Sequence, residues 1–368
     1  MREIVRKRSL WVIAGLAGAF LLSACSDPDL PQNTFASAGP VAEKQADIYW
    51  LTFWIATAVF VLVEGGIIAI SLKYRHRKGR DRMPSQLHGN TRLEVGWTIL
   101  PAIVIAVVTV PTISLLWELA REPDANALNV TAEGHQWWWG FRYEDDDMET
   151  SYGGPITTAD VMVIPVGRDV HVSLESVGGL IGGSEEEADY QVIHSFWVPK
   201  LAGKQDVVPG RTNTLTLSAD RPGTYWGQCA EFCGIQHGWM KFRVVALEEA
   251  AWDAWVANQQ QPGAEPTDEL AARGRDIFLN GTESGAQCIA CHAVGGTDAA
   301  SGAGPNLTHF NDPTHECFAG CVWETEDREA LEEWLRNTRD VKLGSKMPDY
   351  DLTEDEIDAL VAYLYSLT

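Results

Sequence analysis

Basic residues are scarce in this chain. Of its 368 residues only 28 are Lys or Arg, against 51 Asp or Glu, which gives a formal net charge of −23. A nucleic-acid binder needs basic surface to neutralise phosphates, so that class is excluded. An acidic surface suits a basic partner or simple solubility. Cysteine is sparse too. The seven residues Cys25, Cys229, Cys233, Cys288, Cys291, Cys317 and Cys321 are too few for a disulfide-dense secreted scaffold of this length. Six of them form three close pairs, and paired cysteines with histidines nearby point to metals. Wholesale disorder is excluded by a hydrophobic content of 45%. The length suggests two or three domains.

The shortage of positive charge is uneven. Residues 1–119 hold 12 basic and 9 acidic side chains, whereas residues 120–368 hold 16 and 42. The first stretch reads as a membrane anchor. Arg2, Arg6, Lys7 and Arg8 precede an apolar run that ends in Leu22, Ser23, Ala24 and Cys25, the layout of a secretory signal. That ending resembles the bacterial lipoprotein signal, which implies a signal peptide over residues 1–24 and lipid on Cys25; an ordinary signal with an incidental cysteine is the alternative. Residues 48–72 carry a single charge, Glu64, and residues 95–116 carry none. Each run exceeds the roughly 20 residues needed to span a bilayer. A transmembrane hairpin is therefore expected over residues 25–120, with helices at about 46–72 and 93–118. Between the spans, residues 73–82 are strongly basic, which places that loop in the cytoplasm and everything after residue 120 outside. Glu64 faces a protein interior or is a hydrogen-bonded packing residue.

From residue 128 to 247 short β-rich runs alternate with turns such as Pro209-Gly210 and Pro222-Gly223, as in a β-sandwich or barrel. Residues 178–189 form an acidic insertion. Cys229, Cys233, His237 and Met240 place four soft or borderline ligands within twelve residues, and His194 lies upstream. Thiolate, thioether and imidazole together select copper, and zinc rarely takes Met. A Cys229–Cys233 disulfide would leave the histidines and the methionine unexplained. A blue-type copper needs one Cys; a second at this spacing suggests two coppers bridged by both sulfurs.

The last third is helical in pattern over residues 269–279, 328–336 and 354–367, with Thr353 and Glu356 forming a capping box for the final helix. Residues 248–260 look like a helix leading outward, and residues 251–267 are taken as a linker rich in Gln, Pro and Gly. Cys288, Cys291 and His292 make C-x-x-C-H, the attachment motif of c-type haem, with His292 as proximal ligand. The sixth ligand should be a soft sulfur or a second histidine. Met347, beside Pro348 between two helices, is the first choice, with His309 and His315 as alternatives. Cys317 and Cys321, in C-x3-C, read as a local disulfide.

The chain strongly resembles subunit II of haem-copper cytochrome c oxidases. The resemblance rests on the hairpin and on the segments Gly134-His135-Gln136-Trp137-Trp138-Trp139, His194-Ser195-Phe196-Trp197-Val198-Pro199, Pro209-Gly210-Arg211 and Arg221-Pro222-Gly223-Thr224-Tyr225-Trp226-Gly227-Gln228-Cys229. It implies a multidomain membrane protein: the two-helix hairpin, an all-β cupredoxin-like Greek-key domain over residues 121–250 and an all-α class I cytochrome c domain over residues 268–368. The fusion is that of the caa type. The resemblance implies a dinuclear CuA centre held by His194, Cys229, the backbone carbonyl of Glu231, Cys233, His237 and Met240. The Glu231 carboxylate would bind magnesium at the subunit I boundary. Trp137 matches the family's electron-input tryptophan, and is otherwise a membrane-interface aromatic. Glu94 matches a carboxylate at a proton-channel mouth. Gln191 departs from the Asp many relatives carry three residues before the first His ligand.

Implied partners are oxidase subunits I and III, a c-type cytochrome donor and membrane lipid, at the external face of a bacterial plasma membrane. The expected function is electron input to a proton-pumping terminal oxidase, with no catalytic residue in this chain. The alternatives are a CuA-type subunit of a nitric oxide reductase and a free-standing copper or electron carrier.

Overall fold

The computed structural model describes residues 30–75, 86, 89–121, 123–178 and 191–368. The expected signal segment, Cys25, most of the basic loop and nearly all of the acidic insertion lie outside the described residues.

Among the described residues, two helices are long and apolar enough to cross a membrane. Helix α1 is Pro40–Tyr74 and α2 is Thr91–Leu119, with mean hydropathies of 2.3 and 2.5 over their most apolar windows. Both run longer than the apolar stretches alone suggest, most clearly at the start of α1. Pro40 occupies the first turn, where its missing N–H would have no helical partner anyway. The polar first turns are supported by protein. Ala38 and Ala42 are buried, and their N–H groups donate to the carbonyls of Lys200 (2.8 Å) and Leu201 (3.2 Å). At the start of α2, Asn90 accepts from the N–H groups of Arg92 and Leu93, while the Glu94 carboxylate accepts from Asn90 N–H at 3.2 Å. This reciprocal cap satisfies donors that the first turn leaves open. Pro101 and Pro111 sit within α2 without ending it. Glu64 lines the groove between the two helices, alongside Val63, Val104 and Val108.

The next part of the chain is a sandwich of two five-stranded sheets. In chain order the strands are β1 (Leu128–His135), β2 (Trp138–Tyr143), β3 (Thr157–Ala159), β4 (Val161–Pro165), β5 (Val170–Ser176), β6 (His194–Trp197), β7 (Gln205–Val207), β8 (Asn213–Leu217), β9 (Gly223–Cys229) and β10 (Lys241–Leu247). One sheet has the order β3-β2-β1-β5-β8 and the other β4-β10-β9-β6-β7. β1 runs parallel to β5 and β4 parallel to β10. Crossing between the sheets in this way gives the expected cupredoxin-like Greek key. In β5 the inward residues Val170, Val172 and Leu174 alternate with half-buried His171, Ser173 and Glu175, the period of a strand covered on one face. Trp139, Phe196 and Phe242 fill the core with ring centroids 4.7 to 5.6 Å apart.

Helix α3 (Glu249–Gln259) is present where the sequence suggests a helix, but it does not lead outward. Trp252 and Trp255 are buried in the sandwich core, Trp255 within 5.3 Å of the Tyr143 ring. Two indoles of this size hold the helix against the sheet, since their burial is worth several kcal/mol, roughly, over exposure. The sandwich unit therefore extends to Gln259, and residues 251–259 are no linker.

The C-terminal unit packs α4 (Glu269–Asn280) across α7 (Glu354–Ser366), with α5 (Arg328–Arg336) and α6 (Thr338–Val341) to one side. Phe278 and Tyr363 meet at this crossing with centroids 5.6 Å apart. Thr353 and Glu356 form the expected capping box. One addition to the helical pattern is a short hairpin of β11 (Cys317–Phe318) and β12 (Trp323–Glu324), closed by a Cys317–Cys321 disulfide.

Candidate metal and haem sites

β9 ends at Cys229 and β10 begins at Lys241, so the loop between them hangs from two paired strands. β6 lies on the other side of β9, with Phe196 opposite Cys229. That register carries His194 to the loop. Gly134 on β1 makes the space: a Cβ there would fall 2.8 Å from the His194 ring. The Cys229 and Cys233 sulfurs are 3.7 Å apart, far beyond the roughly 2.05 Å of a disulfide. His194 Nδ1 lies 3.8 Å from Cys229 Sγ, and His237 Nδ1 lies 3.8 Å from Cys233 Sγ. Met240 Sδ is 3.8 Å from Cys233 Sγ, and the Glu231 carbonyl oxygen is 3.2 Å from Cys229 Sγ. All six sequence-predicted donors thus converge on one pocket, and His194, Cys229 and Cys233 alone bring their ligand atoms within 4.8 Å of one another. Two thiols held at bridging distance with an imidazole beside each fit a soft-metal pair. Thiol-to-thiol hydrogen bonding pulls Cys229 far below the ordinary cysteine range and pushes its partner Cys233 up. The Glu231 side chain points outward and is exposed.

Trp137 is buried directly behind this loop. Its indole N–H donates to the Cys233 carbonyl at 3.0 Å, and Gln136 Nε2 donates to the same oxygen at 3.0 Å. Trp137 is therefore no exposed interface aromatic. Gln191 accepts from Gly210 N–H at 3.2 Å, at the edge of the β domain.

A deep apolar cavity opens in the C-terminal unit. Cys288, Cys291 and His292 line one part of it, and Met347 and Pro348 another. Cys288 and Cys291 are free thiols spaced by one 3₁₀ turn, Cys288–Ala290. His292 Nδ1 is 2.8 Å from the Pro305 carbonyl, which fixes the N–H on Nδ1 and leaves Nε2 free as a ligand. Burial lowers the His292 pKa, so the imidazole stays neutral, as a ligand must be. Thr338 holds the Met347 loop by donating to the Met347 carbonyl at 2.9 Å. His315 also lines the cavity, but its Nδ1 is engaged by the Phe310 carbonyl at 2.7 Å. His309 is not on the cavity wall; both its ring nitrogens lie within 3.1 Å of carbonyls, those of Thr368 and Gln261. The arrangement fits a covalently attached, two-axial-ligand haem.

The far wall of this cavity belongs to the other domain: His135, Gln136, Trp137 and Trp138 all line it. Polar contacts seal the seam around it. Lys342 Nζ donates to the carbonyls of Ala319 (2.6 Å) and Trp137 (3.3 Å). Gln236 Nε2 donates to the carbonyls of Lys342 and Leu343. Asp160 receives the N–H of Trp139 on one carboxylate oxygen and the N–H of Gly320 on the other. Asp160, Gln236 and Lys342 are not foreshadowed by any sequence motif. They are single polar residues whose partners lie as many as 205 positions away.

A β-sandwich with a two-cysteine soft-metal loop, joined to a cytochrome fold and to two membrane-length helices, defines a membrane-anchored electron-transfer protein. Comparison with known proteins agrees on all three parts. The family "Cytochrome C oxidase subunit II, transmembrane domain" matches residues 30–115, the family "Cytochrome C oxidase subunit II, periplasmic domain" matches residues 128–247, and "Cytochrome c" matches residues 271–368. The cytochrome c oxidase subunit 2 of Alkalihalophilus pseudofirmus is 39% identical over 335 residues, 89% of each chain. That of Bacillus sp. (strain PS3) is 34% identical over 380 residues, 97% of each chain. A quinol oxidase subunit 2 from Bacillus subtilis is 31% identical over 71% of this chain and 76% of its own. The chain belongs to the cytochrome c oxidase subunit II family, with a C-terminal cytochrome c domain. Membership implies CuA copper in the periplasmic domain and haem in the cytochrome domain, a subunit I partner and a cytochrome c donor.

Proposed function

We propose that this chain is the electron-input subunit of a terminal oxidase, taking electrons at its own haem and passing them to CuA and on to subunit I, where oxygen is reduced to water and protons are pumped. In this reading Cys288 and Cys291 would anchor the haem, and His292 and Met347 would be its iron ligands. His194, Cys229, the Glu231 carbonyl, Cys233, His237 and Met240 would hold the two coppers. A copper pair held there would supply a one-electron centre. The chain's own contribution is rigidity: a buried His194, a loop hung between paired strands, and Trp137 and Gln136 clamping the Cys233 carbonyl.

The observation that carries the reading is the shared wall. Trp137 lines the haem cavity on one side and donates to the carbonyl of a copper-loop cysteine on the other. One indole thus spans the interval between the two sites. The cytochrome domain covers Trp137, so a soluble donor has no direct access to that indole. The C-x-x-C-H motif and the complete donor set favour the cytochrome-oxidising relatives over the quinol oxidase.

Further roles follow the same family reading. The exposed Glu231 carboxylate would hold magnesium where subunit I docks, and Glu94, at the first turn of α2, would sit at a proton-channel mouth. Cys25 would carry lipid at the external membrane face, with subunit III completing the assembly in a bacterial plasma membrane.

The test is a purified oxidase carrying Cys288→Ala and Cys291→Ala. It should keep the CuA near-infrared absorption and lose oxygen consumption driven by external ferrocytochrome c. Undiminished oxygen consumption would show that electrons enter at copper directly. Absence of co-purifying subunit I haems from the unmodified protein would instead indicate a free-standing carrier.

A further inference from the structure

The Cys317–Cys321 pair has no part in either metal site, yet it lies on the seam between them. Both cysteines are buried in the core of the copper domain, while Phe318 between them belongs to the core of the haem domain. Phe318 and Ala319 also line the haem cavity. The hairpin is thus shared by both hydrophobic cores.

Its tip is fastened to the copper domain through backbone groups. Gly320 N–H donates to Asp160 Oδ2 at 2.7 Å, and the Gly320 carbonyl accepts from Lys241 N–H at 3.0 Å. Lys241 is the first residue of β10, next to Met240 of the copper pocket. The Ala319 carbonyl accepts from Lys342, whose ammonium also reaches the Trp137 carbonyl. At the rim, Thr224 donates to Glu316 at 2.6 Å and Arg243 pairs with Glu324 at 3.5 Å. To present these groups, Ala319, Gly320 and Cys321 take φ of 56°, 76° and 51°, three successive left-handed residues of which two carry a Cβ. Non-glycine residues avoid this region, so the turn would not hold its shape unaided. A cross-link across it removes the alternatives. Gly320 has no room for a side chain either: a Cβ would fall 2.6 Å from the Trp239 carbonyl oxygen.

We propose that the disulfide-closed hairpin 317–324 is a positioning element that seats the haem domain on Trp137, so that it sets the rate of the haem-to-copper electron step. The proposal rests on the haem-to-copper route given above. Electron tunnelling falls off exponentially with separation, so a seat that loosens by even an ångström or two slows that step while leaving each site intact.

The test uses the whole oxidase with Cys317→Ser and Cys321→Ser, and separately Gly320→Ala. Flash-induced electron injection resolves donor-to-haem from haem-to-copper transfer. The expected result is a haem-to-copper rate at least about tenfold slower, with the donor-to-haem rate, the haem α-band and the CuA near-infrared band unchanged. An unchanged haem-to-copper rate overturns the proposal. If the double variant loses either metal band, the Gly320→Ala protein decides by the same two outcomes. Trp137→Phe is measured alongside. If it leaves the haem-to-copper rate unaltered while the hairpin variants slow it, the tryptophan route fails and the seat stands; if it slows the step and the hairpin variants do not, the reverse holds.

Discussion

The copper pocket and the haem cavity are built on opposite plans. The copper donors come from a single domain, and five of the six sit on one loop and the strand end that leads into it, with their atoms already within bonding reach of small ions. The haem cavity is a large apolar hollow with walls from two domains and a lid loop that carries Met347. A small ion needs its ligands placed first. A large prosthetic group tied by two covalent bonds can itself complete the core around it. Loss of copper should therefore be a local event and loss of haem a global one for its domain.

The sharpest way to break this contrast is Cys229→Ser. It should abolish the CuA absorption and oxygen consumption, and leave the haem α-band and the thermal midpoint of the cytochrome domain unchanged. Collapse of both bands would mean that the two sites fold as one. Haem omission, by Cys288→Ala with Cys291→Ala, should instead unfold or loosen the cytochrome domain, visible as lost protection from amide exchange in α4 and α7. Native-like protection there would put the two sites on the same plan after all. Met347→Ala is a smaller change. The domain stays folded, but the Met–iron absorption of the unmodified protein disappears; absence of that band from the unmodified protein would transfer the role to His315.

Trp255→Ala probes where the copper domain ends. If α3 is part of that domain, stability falls by about 3–5 kcal/mol in its urea unfolding, with no hydrogen bond lost because the indole N–H has no protein partner. A change below about 0.5 kcal/mol would restore the outward-leading helix. The smallest effect is a pH dependence of the seam. Burial raises Asp160 from 3.8 to about 6, so folding is favoured below pH 4 and this contribution is lost as pH rises through 6. Burial lowers Lys342 from 10.5 to about 8, so its contribution is present above pH 10.5 and lost as pH falls through 8. Interdomain stability should then be lowest between about pH 6 and 8, where both are charged. Asp160→Asn should flatten the slope between pH 4 and 6, and a slope that survives would assign it to another group.

Much of this architecture was legible from the residues. Cys229, Cys233, His237 and Met240 are close in sequence, so their spacing alone displays a ligand set; the C-x-x-C-H of Cys288, Cys291 and His292 does the same. His194 needed the family resemblance, because only strand pairing carries it to the loop. What could not be read is the seam. Asp160, Gly320 and Lys342 are ordinary residues until folding sets them face to face, and no periodicity marks such a meeting. The helix bearing Trp252 and Trp255 shows the same limit. Its helical pattern is local, but whether two indoles turn inward is decided by an available sheet surface, here beside Tyr143.

The first membrane helix has a mechanical consequence of its own. At about 1.5 Å per residue, its 35 residues span about 52 Å, against a hydrocarbon layer of about 30 Å. Tyr49, Trp50, Phe53 and Trp54, joined by Phe35, form an aromatic collar about two and a half to four turns below Pro40. Aromatic residues of this kind settle at the water line. The turns above the collar then stand clear of the lipid as a stiff mast. Its top is bolted to the sandwich through Ala38, Gly39 and Ala42, where a Cβ at position 39 would collide with the Ser218 carbonyl oxygen. The copper pocket is thereby held at a constant altitude above the bilayer, and a lengthened or kinked mast would lift it away from whatever lies embedded beneath.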